Sequence, residues 1–307
     1  MEFEGYLREL ADGAVKLKAS GLMRLSGLTP ADADMLATAW PGMDVRRRRS
    51  VVRELVDLEE DNVELSFDAV FLRGLEDDDA EVRLQSIRGL WEYEGSDLIA
   101  PLVGLMESDG NAGVRAEAAL ALGRFVLLFE EDRLRERYFR EVESGLRRLI
   151  GDKDEVEEVR ARAIEAIGAY NDAWVRQAIS EAYENGARRL KVSAVHAMGR
   201  SCEPRWLPLL VRELNNEEAE IRYEAAVACG SLGDEGAVPH LVKLVSDPDD
   251  EVRQASVASL GEIGGQEARD ALSELKEDPS LAVREAAREA LAEVGFEETP
   301  LSFRPLA

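Results

Sequence analysis

Cysteine, histidine and aromatic residues are all scarce in this sequence, and each shortage removes a class of function. The two cysteines, Cys202 and Cys229, make neither a disulfide framework nor a metal-ligand pair at short spacing. The two histidines, His196 and His240, are followed by Ala197 and Leu241 and stand too far apart to build a multi-ligand metal site. Positive charge is outweighed as well. The 63 Asp plus Glu exceed the 38 Lys plus Arg, and the resulting net charge of −25 opposes a nucleic-acid backbone as partner. No run approaches the ~18 apolar residues of a membrane span. The N-terminal MEFEGYLREL lacks the basic region of a secretory signal. No G-x-S-x-G is present, and Gly261 to Gly265 (GEIGG) reads as a helix end and turn rather than a phosphate loop. What the 307 residues do have is 45% hydrophobic content, too much for disorder. These features lead us to expect a cytoplasmic chain with no catalytic constellation, cofactor, metal, nucleic-acid partner or membrane insertion.

A repeat organises the chain. An aliphatic residue followed by a base recurs at Val82-Arg83, Val114-Arg115, Val159-Arg160, Leu190-Lys191, Ile221-Arg222, Val252-Arg253 and Val283-Arg284. The bases are separated by 32, 45, 31, 31, 31 and 31 residues, so the second interval holds an insertion, placed at about 124–141. Each unit reads as two helices. A turn rich in Asp, Asn and Pro precedes the second helix, which opens on acids and ends in glycines suited to a C-cap, as in AEIRYEAAVACGSLG. No segment shows the alternation of a strand, so the chain is expected to be all-α.

Counted from the base, the positions one before and three, four and seven after fall on one face of the second helix and form a core stripe. Cys229 falls in that stripe and reads as a small buried hydrophobe. Six residues before each base stands Asp77, Asp109, Asp154, Asn185, Asn216, Asp247 or Asp278. Such an Asx can cap the second helix and accept a bond from a base. The pairs therefore suggest a structural ladder through Arg83, Arg115, Arg160, Lys191, Arg222, Arg253 and Arg284.

The layout D-x-x-x-x-V-R-x-x-A-x-x-A-L-G, seen in Asp109 to Gly123, resembles the HEAT repeat, in the short variety first noted in phycobilisome lyases. The resemblance implies a right-handed α-solenoid of about eight stacked helix pairs with the second helices lining a concave face. On this basis residues 1–28 are a helical extension, 29–63 a degenerate N-terminal capping repeat, 64–293 seven repeats, and 294–307 a tail. Thr29-Pro30-Ala31-Asp32 is a capping-box-like helix start. The run Arg46 to Arg49 obscures the register of the first unit. HEAT-like deoxyhypusine hydroxylases hold iron with several His-Glu pairs, which this sequence does not have.

Positions two before, and two, five and nine after, each base point away from the core stripe. Along that face acids predominate, broken in the middle by Arg189, His196 and Arg200, with Val227 and Tyr223 in the next unit. An aromatic with two arginines inside an acidic face is the candidate partner-binding patch. Solvated helix residues paired with neighbouring glutamates are the plainer alternative. The favoured function is a non-enzymatic scaffold or adaptor holding a protein or peptide segment on the concave face. The other reading, by analogy with the namesake proteins, is a bilin or tetrapyrrole lyase-like or chromophore-handling chaperone. Phe125-Val126-Leu127-Leu128-Phe129 in the insertion reads as buried rather than as a docking element, and the tail's Leu301 and Phe303, between Pro300 and Pro305, are a candidate docking peptide.

Overall fold

The computed structural model describes residues 2–297, and side chains within 3–292. The tail beyond, with Leu301 and Phe303, lies outside the described residues. Eighteen α-helices and several short 3-10 turns account for the described residues, with no strand among them. The chain divides after Ala166 into two compact units.

The first unit holds α1 (Glu2–Ala11), α2 (Ala19–Leu22), α3 (Pro30–Ala39), α4 (Val45–Asp61) and α5 (Asp68–Gly74). These are followed by α6 (Ala80–Gly89), α7 (Ile99–Ser108), α8 (Ala112–Glu130), α9 (Glu136–Gly151) and α10 (Glu157–Ile167), whose last residue falls past the division. Thr29 caps α3, accepting the Asp32 N–H at 3.2 Å, with Pro30 at the first helical position. The second helices α4, α6 and α8 lie side by side, while α5 packs on α6 and α7 on α8.

The second unit continues with α11 (Ala173–Asn185), α12 (Arg188–Arg200), α13 (Leu207–Glu213) and α14 (Ala219–Leu232). It ends with α15 (Val238–Leu244), α16 (Asp250–Ile263), α17 (Gly265–Leu275) and α18 (Leu281–Glu297). Here α12, α14, α16 and α18 form one layer, each touching the next, and α11, α13, α15 and α17 each back the second helix that follows.

The apolar stripe explains the layering. Val82, Val114, Val159, Val252, Leu122, Ile167, Met198, Cys229 and Leu260 are all fully buried, because the 3.6-residue period puts them on the face shared with neighbouring helices. Burial pushes the Cys229 thiol up to about 12, which leaves it a packing residue. At the last described unit the stripe ends as Arg288 becomes exposed.

The glycines do a different job from the one their position suggests. Gly230 lies inside α14, and it is Gly233, at φ +69°, that caps this helix. Gly123, Gly168, Gly199 and Gly261 likewise sit within or at the end of second helices, eight residues after the base. A methyl added to Gly199 would stand 2.6 Å from Ala228 Cα, and one on Gly168 2.8 Å from Ala197 Cβ. Gly123 against Ala166 and Gly261 against Ala290 repeat this contact, so glycine here sets the spacing between successive second helices. Gly199→Ala is therefore expected to destabilise the chain by about 1–3 kcal/mol through forced separation of α12 and α14. Urea unfolding measures it; a midpoint equal to that of the parent chain would show that the close approach is not needed.

Candidate functional site

The recurring bases make two contacts each where the pattern is complete. One amino group bonds the carbonyl of the residue six before it: Arg83 to Asp77 at 2.6 Å, Arg115 to Asp109 at 2.7 Å and Arg222 to Asn216 at 2.8 Å. Arg253 to Asp247 at 2.6 Å and Arg284 to Asp278 at 2.7 Å follow the same rule. The rest of the guanidinium reaches the next unit. Arg83 forks onto both carboxylate oxygens of Asp109 at 2.7 and 2.9 Å, and Arg222 onto those of Asp247 at 2.8 and 2.9 Å. Although partial burial disfavours the charged form, these bonds hold the Asp109 and Asp247 carboxyls below the ordinary range.

The geometry departs from the sequence pattern at several places. The Asx six residues before the base does not cap the helix. It closes the turn by accepting the N–H two residues on, as Asp77 does from Asp79 and Asp247 from Asp249, both at 2.9 Å. The helix caps are Asp79, Asn111 and Asp249. Arg115 pairs with both oxygens of Glu155, not with Asp154, because here the Asx that closes the turn is Asp152, eight residues before the base instead of six, and the register is shifted by two. In that turn Asp154 is exposed and its N–H is taken by Asp152. Arg160 bonds the Ile150 carbonyl at 3.2 Å, and Asn185 is exposed at the end of α11. Lys191 meets Glu213 at 3.1 Å rather than the uncharged Asn216, which donates to the same carboxylate at 2.6 Å. Arg253 turns back to Asp250 in its own helix instead of reaching Asp278.

Glu213 is the group that pattern reading missed. It is 4% exposed and receives hydrogen bonds from Tyr183, Lys191 and Asn216. Burial pushes its pKa up, but the bonds from Tyr183, Asn216 and Lys191 outweigh that and hold it below the ordinary range. Its one signal in the sequence was the replacement of Asp by Asn at positions 185 and 216, which left Lys191 without a carboxylate in the usual place.

The arginine run is engaged by the fold. Arg47 donates to the Leu10 and Val15 carbonyls at 2.6 and 2.7 Å. Arg48 meets Asp77 at 2.8 Å and so supplies the base of the first unit. Arg49 forks onto Asp79 at 2.8 and 2.6 Å. In the insertion Phe125 and Val126 are fully buried within α8, and Phe129 stacks on Phe139 of α9 at 3.9 Å with planes 2° apart.

The patch of Arg189, His196, Arg200, Tyr223 and Val227 lies on adjacent helices of the second unit, three residues on α12 and two on α14. Arg189 folds along its own helix to Ser193 Oγ at 3.0 Å, and Ser193 is buried although periodicity put it on the outer face. His196 Nδ1 stands 3.4 Å from Glu224 Oε2 and links the two helices. Arg200 is exposed at the end of α12. Tyr223 is 37% exposed, large for an aromatic, and Val227 lies half-buried one turn on. Beside them a groove of about 660 Å³ runs between α14 and α16. Among the described residues no three His, Cys, Asp or Glu are placed to hold a metal, and no helix is long and apolar enough to cross a membrane.

Helix pairs stacked so that each repeat buries its stripe on the next define an α-solenoid. The model of the family described as HEAT repeats matches residues 69–136, 177–260 and 207–292, more than half of the chain. The chain belongs to the HEAT-repeat family. Among solved structures it is similar to yeast importin-β (Kap95p), with a TM-score of 0.55 and 10% identity over 99% of this chain and 47% of that one. Escherichia coli YibA gives a TM-score of 0.46 with 18% identity over 80% of this chain and 96% of that one. Human deoxyhypusine hydroxylase gives 0.33 with 19% identity over 96% of both chains. No curated protein matches by sequence. The likeness to importin-β speaks to the fold alone, and HEAT-repeat folds commonly serve protein interaction through their extended surfaces.

Proposed function

We propose that this chain is a non-enzymatic scaffold or adaptor that holds a segment of a partner protein on the face formed by the second helices of its second unit. The observation that carries the reading is Tyr223, a large aromatic left exposed beside an open groove on a layer whose other apolar side chains are mostly turned inward. Tyr is among the residue types that concentrate binding energy at interfaces, and so is Arg, here Arg189 and Arg200 on the neighbouring helix. His196 and Glu224, joined across the two helices, give the patch a polar rim.

The test is affinity capture from the native cell extract with the parent chain and with a His196→Ala, Arg200→Ala, Tyr223→Ala triple variant. The variant is expected to fold normally and to lose its specific partners. An unchanged partner list removes the assignment of the site.

A further inference from the structure

A cavity of about 200 Å³ in the first unit is walled by α1, α2, the loop between them and Arg47 of α4. Three bases line it, Lys16, Lys18 and Arg47, against a single acid, Glu9. Glu9 is beyond ion-pair distance of all three, and neither lysine has a carboxylate partner among the described residues. Arg47 spends Nε and Nη1 on the Leu10 and Val15 carbonyls, which fixes the loop that carries Lys16. Its Nη2 has no partner among the described residues. Two other cavities of this unit differ. Arg133, beside Tyr138, is committed to Glu94 and Glu131, which leaves Arg135 as the remaining base there. Arg8, in the groove between α1 and α3, bonds Glu4 at 2.6 Å.

Tyr6 supplies part of the same wall. It is 7% exposed, and its hydroxyl is buried without a hydrogen-bond partner. Burial pushes the phenol up to about 12, so it keeps its proton and remains a donor at neutral pH. Arg47 and Glu9, both in the lining, are among the charges that bear on it, and Arg24 lies over the ring at 4.5 Å. The rest of the lining is largely apolar, with Leu10 and Leu22 buried and Leu17 half-buried.

We infer that this cavity binds a small phosphomonoester, its phosphoryl group between Lys16, Lys18 and Arg47 and its short carbon stem against Leu10, Leu17 and Leu22. The site shares no residue with the partner-binding patch and goes beyond the scaffold reading. Charge argues for this ligand. A phosphomonoester carries about −1.5 to −2 charges at neutral pH and three strong acceptor oxygens, which answers two ammonium groups and one guanidinium nitrogen together. A carboxylate brings one charge and two oxygens and leaves one of the three bases unanswered. Lysine suits the task because it meets phosphate as a mobile point charge and needs no fixed fork. Size argues the same way. At about 30 Å³ for each water-sized group the cavity has room for roughly six or seven, enough for a phosphoryl group with two or three carbons and too few for a nucleotide. A bare anion would leave the leucines without a partner, whereas a carbon stem covers them. The Tyr6 hydroxyl is a further donor at this wall in want of an acceptor.

Isothermal titration calorimetry of the full chain with propyl phosphate tests this. Propyl phosphate is expected to bind, and inorganic phosphate about threefold more weakly because it lacks the stem. A Lys16→Gln, Lys18→Gln variant, changed only at exposed positions, should keep its thermal midpoint and lose about tenfold in affinity. A Lys153→Gln, Lys243→Gln variant removes the same charge at exposed positions outside the cavity and should bind as the parent chain does. No binding of propyl phosphate at about 10 mM, undiminished affinity in the first variant, or an equal loss in both overturns the inference. Inorganic phosphate binding as tightly as propyl phosphate removes the ester. A phosphoserine peptide that binds where propyl phosphate does not also overturns it, since the occupant is then a modified side chain of a partner.

Discussion

Phe139→Ala is expected to cost about 3–5 kcal/mol of stability, the usual range for an aromatic removed from a packed interior. Phe139 is 1% exposed, and its ring lies face to face with Phe129 at the end of α8. Deleting it leaves that ring without its partner and opens a cavity between α8 and α9, because α8 is held along its length by Phe125, Val126 and Leu128 and has little freedom to collapse inward. A chemical-denaturation midpoint and slope report the effect. An unchanged midpoint would mean that the inserted segment is an appendage, free to serve as a docking element. A large loss makes the insertion part of the core of the first unit. Phe139→Leu should recover a good part of the difference, since it restores most of the apolar volume.

Glu213→Ala is expected to cost about 3 kcal/mol near neutral pH. Removing one member of a buried charged pair leaves the other without its partner, and here Tyr183 and Asn216 lose an acceptor at the same time. We take the low end of the range for broken buried pairs because Lys191 is 27% exposed and can turn toward water. The pH dependence has a definite sign. The folded chain holds the Glu213 carboxyl below its ordinary value, so the stability it contributes is present above the unfolded-state value, about 4.3, and is lost as pH falls through the lower folded-state value. Asp109, Glu155 and Asp247, held low by Arg83, Arg115 and Arg222, act in the same direction. The parent chain should therefore lose stability steeply in acid, and the Glu213→Ala curve should be flatter there by one titrating group. Parallel curves would show that Glu213 is not held in its charged form by the fold.

Much of the repeat could be read directly. Val82, Val114 and Val252 are buried because helical period and an aliphatic-base pair leave them no other place, and neither fact needs a third dimension. The turn Asx and the Arg six residues later are close in sequence, so their shared hydrogen bond is local. Contacts to the next unit are another matter. Whether Arg115 reaches Asp154 or Glu155 depends on two residues of turn length, and whether Arg253 leaves its own helix depends on Asp250 lying one turn away. The candidate patch was only partly legible for the same reason. Periodicity placed Ser193 outward with Arg189, but the neighbouring helix covers it.

The sequence by itself determined that this is an all-α repeat protein, how long its unit is, which face of each second helix is buried and where the period is interrupted. Those properties follow from periodicity, which is a one-dimensional quantity. The tertiary structure alone decided which carboxylate each base meets, that Gly199 and its equivalents set helix spacing rather than end helices, and that Tyr223 stands open beside a groove between α14 and α16. These depend on distances between helices, and such distances are fixed by how closely one backbone can approach the next.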